Sequence, residues 1–137
     1  MKRFIDTNVL VYAYDDDEPT KQARAQHLIG DMWERHDGAI SIQVLQEFVV
    51  TVTTKWRDRI APVNAREVIE AYDDWRPFSP ETADVVAAID VAARAGISFW
   101  DALVVVAARQ SGADVLLSED LNHGQVIEGV RIENPFL

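Results

Sequence analysis

Short apolar runs alternating with longer stretches of helical periodicity leave this chain few folds to choose from. The sharpest run, Val115-Leu116-Leu117, follows the helix stop Ser111-Gly112. It shows no polar alternation, as expected of a strand covered on both faces. Five strands are predicted: Lys2–Asp6, Ala39–Ile42 after the turn-like Asp37-Gly38, the Pro-bracketed Arg76–Ser79, Asp114–Ser118 and Val130–Glu133. Helical spacing fills the intervals over Thr20–Glu34, Gln43–Arg57, Val63–Trp75 behind Pro62, a segment opened by Pro80-Glu81 and running to Gly96, and Ser98–Arg109. The last is apolar nearly all round, so it is expected to pack against both sheet and helices. Such alternation marks an α/β domain with a mostly parallel sheet. The expected architecture is a three-layer α/β/α sandwich with five strands in Rossmann-like order 3-2-1-4-5, residues 1–137 forming one domain.

Composition narrows the chemistry. The 137 residues contain no cysteine, which removes thiol catalysis and thiolate metal sites, and the three histidines (His27, His36 and His123) lack zinc-ligand spacing. The formal charge is −10, most of it in the second half, unlike the basic footprint of a duplex-coating protein. The N-terminus meets Asp6 before any apolar stretch long enough for a signal peptide, and no run approaches the ~20 residues that span a bilayer. A cytoplasmic protein without a membrane partner is expected.

Four acids occupy unusual places. Asp6 ends the first strand, where parallel sheets bind ligands. It either caps the helix starting at Val9 or, if Thr7 or Asn8 does the capping, is free for a ligand. Glu47 lies just outside the apolar arc of the Gln43 helix, solvated or turned toward Asp6. Asp101 stands three residues after Ser98, the spacing of a capping box, yet it opens the most hydrophobic helix in the chain. Asp120 follows the strand Val115–Leu117, either as ordinary loop chemistry or as a group in the same crevice. In the 3-2-1-4-5 order the first and fourth strands are neighbours, so Asp6 and Asp120 point into one switch-point crevice. Carboxylates gathered there repel by roughly 3 kcal/mol per pair at ~5 Å. The natural remedy is a hard cation with oxygen ligands, Mg²⁺ or Mn²⁺. Asp15-Asp16-Asp17-Glu18, by contrast, reads as a solvated loop.

A metal so held suits phosphodiester hydrolysis by activated water. The chain has neither a P-loop nor a Gly-x-Ser-x-Gly elbow. Lys55-Trp56-Arg57-Asp58-Arg59 clusters three bases and an aromatic ring just after the Glu47 helix. Lys55, Arg57 and Arg59 are thus either substrate contacts or a solvated helix end. His123, close to Asp120, either contacts substrate or caps a turn, and the turn is the favoured reading.

Four segments also carry a family resemblance: Phe4-Ile5-Asp6-Thr7-Asn8-Val9-Leu10, Gln43-Val44-Leu45-Gln46-Glu47-Phe48, Phe99-Trp100-Asp101-Ala102-Leu103 and Leu117-Ser118-Glu119-Asp120-Leu121-Asn122-His123-Gly124. In order and spacing they resemble the four blocks of the PIN domain, in its small VapC-type toxin form. That resemblance implies a Mg²⁺- or Mn²⁺-dependent endoribonuclease with Asp6, Glu47, Asp101 and Asp120 as metal ligands and catalytic residues. It further implies Asn8 and Ser118 as supports for those ligands, and Glu119 as an extra or substitute for Asp120. A homodimer acting on RNA is implied, as is a cognate antitoxin, basic where it enters the site. Two other readings compete: a metal-dependent phosphatase or phosphotransferase, and a non-catalytic acidic module that captures a basic peptide.

Overall fold

A computed structural model describes all residues from Met1 to Leu137. Its element order is β1 (Arg3–Ile5), α1 (Thr7–Tyr12), α2 (Pro19–Arg35), β2 (Gly38–Ala39), α3 (Ile42–Val50), a π-turn (Thr51–Lys55) and α4 (Pro62–Tyr72). A 3₁₀ turn (Asp73–Trp75), α5 (Thr82–Ala95), α6 (Phe99–Gln110), β3 (Val115–Leu117), β4 (Val126–Ile127) and β5 (Val130–Glu133) complete the chain.

The five-stranded sheet runs β2-β1-β3-β5-β4, parallel except for the β4–β5 hairpin. The expected neighbours are therefore present: the first strand lies between the second and the strand at Val115–Leu117, with Val130–Glu133 beyond. All three residues of β3 are buried. Since successive side chains point to opposite faces, helices must cover both sides there. β5 instead alternates buried Val130 and Ile132 with exposed Arg131, so one of its faces is open.

The third predicted strand needs correction. Arg76–Ser79 is no strand; only Phe78 pairs, in a single parallel bridge with Ser41. Pro77 and Pro80 remove the N–H groups that would extend the ladder. The sheet reaches five strands through Val126–Ile127, which pairs antiparallel with β5 across a turn where both Glu128 and Gly129 take positive φ. The second strand is also shorter than expected, because Ser41 leaves the sheet to cap α3, its hydroxyl accepting the Val44 N–H at 3.2 Å.

The first helix starts at Thr7, two residues before the expected Val9, and α3 changes character at Thr51 rather than running to Arg57. There the Thr53 and Thr54 hydroxyls donate to the carbonyls of Val49 and Val50. Such back-bonding by a β-branched run loosens a helix. No single helix is long and apolar enough to cross a membrane, and apolar α5 and α6 meet at 114°, with α6 buried from Ala102 to Ala108.

Gly38 is required by its neighbour. A Cβ there would lie 2.4 Å from the Trp75 ring, and that ring is held between Trp33 and Tyr72 at centroid distances of 5.0 and 4.8 Å. Gly38→Ala is expected to destabilise the fold by about 1–3 kcal/mol, the usual cost of overpacking, read as a lower urea midpoint. An unchanged midpoint would show that the aromatic cluster yields freely.

Candidate functional site

The strand register builds the site. Ile5 pairs with Leu117, so the next residue on each strand, Asp6 and Ser118, stand side by side where both strands end. The Asp6 N–H continues the ladder to the Leu117 carbonyl at 2.9 Å. Asp6 is itself the cap of α1, with extended backbone and one carboxylate oxygen accepting the Thr7 N–H at 2.7 Å. Of the two alternatives the sequence left open, Asp6 does the capping and Thr7 and Asn8 do not. The second oxygen of Asp6 accepts the Ser118 hydroxyl at 2.7 Å, which ties the ends of β1 and β3 together.

With Asp6 capping, Thr7 and Asn8 are free to reach across. The Thr7 hydroxyl donates to Glu47 Oε2 at 2.7 Å, and Gln43, one turn earlier on α3, donates to Glu47 Oε1 at 3.0 Å. Each oxygen of Glu47 is thus gripped from a different helix. The same Gln43 amide lies 3.4 Å from the Trp100 carbonyl at the start of α6, and its own Oε1 is buried without a partner. Asn8 donates to Asp120 Oδ2 at 3.1 Å and accepts the Glu119 N–H at 3.1 Å. Ser118, fully buried, is the hub: it donates to Asp6 and accepts the Asp120 N–H at 3.1 Å.

Asp101 forms only half of the predicted capping box. Ser98 Oγ accepts its N–H at 3.1 Å, but no return bond holds the Ser98 N–H, so the carboxylate is not spent on a reciprocal cap. A full box forms instead at α5, between Glu81 and Asp84.

Electrostatic repulsion links the four acids through Glu47 and Asp120, whose charges act on both Asp6 and Asp101. Burial is the main cause that pushes Asp6 up to about 6, with repulsion from Asp120 and Glu47 adding to it and hydrogen bonds from Ser118 and Thr7 opposing it. Asp101 is raised chiefly by burial and further by Asp120 and Glu47, against the Ser98 hydroxyl. As they stand, no three acid or histidine side chains close on a single point.

The neighbouring Glu119 is committed elsewhere. Lys21 Nζ lies 3.0 and 3.2 Å from its two oxygens, and the Tyr12 hydroxyl 3.3 Å from one. Lys55 lines a groove of about 650 Å³ together with Glu47, Asp120 and Trp56. Arg57 lines a separate hollow beside Asp15 and Asp17, and Arg59 lines neither, so the basic cluster is not brought together. His123 caps a turn, accepting the Asn134 N–H at 3.0 Å.

Residues 3–128 match the family model of the PIN domain. The chain belongs to the PIN-domain family. Among solved structures, this PIN domain is similar to a chain in the crystal structure of VapBC2 from Rickettsia felis bound to a DNA fragment from their promoter. That likeness covers 98% of both chains at 17% identity with a TM-score of 0.65, and it supports the shared fold. A search of curated proteins finds no match.

Sequence reasoning missed the Glu47 clamp of this PIN domain. Gln43 had a usable signal, an amide at i−4 on the same helix face. Thr7 had none beyond its adjacency to Asp6, since its partner lies 40 residues away.

Proposed function

We propose that this PIN domain is a Mg²⁺- or Mn²⁺-dependent endoribonuclease acting as the toxin of a toxin–antitoxin pair. The observation that carries the reading is a buried carboxylate, Asp6, at the end of β1, repelled by Asp120 after the neighbouring parallel strand β3 and by Glu47 on α3, with Lys21 spent on Glu119. The donor set suits a hard divalent ion: every group is a carboxylate, and none of the four is paired in a salt bridge. Asp6, Glu47, Asp101 and Asp120 would hold the ion, which supplies charge to activate water and to stabilise the departing oxygen of a phosphodiester.

The protein's own contribution is orientation. Thr7 and Gln43 fix the Glu47 carboxylate, Ser118 fixes Asp6, and Asn8 fixes Asp120. Each bond removes a rotation that ligand binding would otherwise have to freeze. Ser118→Ala is accordingly expected to weaken Mn²⁺ affinity about 10–100-fold, measured by calorimetry. An unchanged affinity would mean that Asp6 needs no support.

The phosphotransferase alternative lacks its chemistry. An aspartyl nucleophile of that kind needs a companion acid two residues on, and there Asn8 donates its amide to Asp120. The reading includes a homodimer and an antitoxin that places a basic side chain among the acids. It is tested by mapping RNA ends in cells induced for the wild type or for Asp6→Asn, without antitoxin. Defined new ends from the wild type alone support it; none from either, or the same ends from both, would overturn it.

A further inference from the structure

Resting on the ribonuclease reading, we infer that the groove leading away from the acids is a subsite for single-stranded RNA, with an unpaired base stacked on Trp56 and a phosphate on Lys55. The π-turn makes this subsite. After α3 delivers Glu47, the helix widens over Thr51–Lys55 and closes with the Trp56 N–H donating to the Thr51 carbonyl at 3.0 Å. Trp56 then turns to extended backbone. An α-helix continued through this segment would rotate each of these side chains to a different bearing.

The resulting groove, about 650 Å³, carries Glu47 and Asp120 together with Lys55 and Trp56. Glu47 and Trp56 are nine positions apart, roughly 13–14 Å along a helix. A strand engaged at the acids therefore reaches Trp56 with a base further along the same chain. Lys55 is exposed, forms no salt bridge, and is the one cation lining the groove. In an overall acidic protein, that is where a phosphate finds a partner. Trp56 is half-buried, its indole packed on the core while it also lines the groove. A ring so anchored gives a stacking platform at little entropic cost. Stacking needs a base out of its duplex, which selects single strands, loops or bulges.

The test measures anisotropy of a labelled, unstructured uridine-rich oligonucleotide in the Asp6→Asn background with Mg²⁺, alongside KM and kcat in the otherwise wild-type chain. Trp56→Ala is expected to weaken binding about 5–100-fold, raising KM and leaving kcat within about twofold. Trp56→Phe should retain most of the affinity. Lys55→Gln should reduce the slope of log affinity against log salt by about 0.7, one phosphate contact on a single strand. Arg66→Gln, an equal change of charge on α4 where Arg66 pairs with Glu70, should change nothing. A folded Trp56→Ala with wild-type affinity, or Lys55→Gln with an unchanged salt slope, would overturn the subsite while leaving the ribonuclease reading standing. If Trp56→Ala fails to fold, the salt slope of Lys55→Gln decides alone by its own criterion. A wild type that neither binds nor cuts RNA would overturn both.

Discussion

Asp6→Asn is expected to lower RNA cleavage by roughly a hundredfold or more, beyond the 10–100-fold typical of groups that only orient a ligand, and at the same time to make the metal-free protein more stable. The two effects have one cause. Asp6 is 4% exposed and its carboxyl is pushed up to about 6 from an ordinary 3.8. The folded state therefore holds the Asp6 proton more tightly than the unfolded chain does. As pH rises from about 4 to about 6 the unfolded chain ionises first, stability falls through that window, and above it a constant penalty of about 3 kcal/mol remains.

Asparagine removes the charge and keeps an acceptor for the Thr7 N–H. Its amide meets Ser118 Oγ, however, and that oxygen must then give up its donor role. The net gain is set at about 1–2 kcal/mol, or roughly 3–8 °C in Tm. Thermal unfolding in EDTA at pH 5 and pH 8 checks it. The advantage of Asp6→Asn should be smaller at pH 5, midway through the window where only about half of the penalty has developed, and full at pH 8. An advantage equal at both pH values would assign it to packing.

The second large effect is stabilisation by metal. An ion that binds the folded state alone adds RT ln(1 + [M]/Kd), about 2.7 kcal/mol at a hundred times Kd. Here it also relieves the repulsion that raises Asp6 and Asp101. Millimolar Mn²⁺ is therefore expected to raise the wild-type Tm by several degrees at pH 8. The rise should be smaller at pH 5, because ligands must be ionised to bind. It should be nearly absent in Asp6→Asn. No shift in the wild type at pH 8 would contradict a metal site.

Much of this geometry was legible because it depends on register, and register follows continuous apolar runs. Phe4-Ile5 and Val115-Leu116-Leu117 mark the two central strands, and once these are neighbours Asp6 must adjoin Ser118. Legibility failed where local signals conflict. The prolines around Phe78 allow one bridge and no ladder. Val126–Ile127 is two residues long and Val126 is 63% exposed, so it has no periodicity to read. Nor does the end of α3 announce its π-turn, since the β-branched run Thr51-Val52-Thr53-Thr54 lowers helix propensity and favours strand without singling out a π-turn.

Within the site, Asp6, Asp101 and Asp120 stood out because each sits at the end of an apolar element, and Glu47 because it borders the apolar arc of its helix, whereas most of their supports are unremarkable in sequence. Thr7 acquires its role only when α1 packs against α3 and brings it to Glu47, whereas Gln43 lies one turn before Glu47 on the same helix. Glu119 and Asp120 are adjacent in sequence, and what tells them apart is Lys21 on α2, which takes Glu119 and leaves Asp120 to Asn8.

The most direct test of the metal-dependent ribonuclease uses protein stripped with EDTA and a fluorogenic single-stranded RNA. Cleavage should be absent in EDTA, should return on titration with Mn²⁺ or Mg²⁺, and should not return in Asp6→Asn at any metal concentration. Cleavage that persists in EDTA, or that Asp6→Asn restores to the wild-type rate with metal, would contradict it.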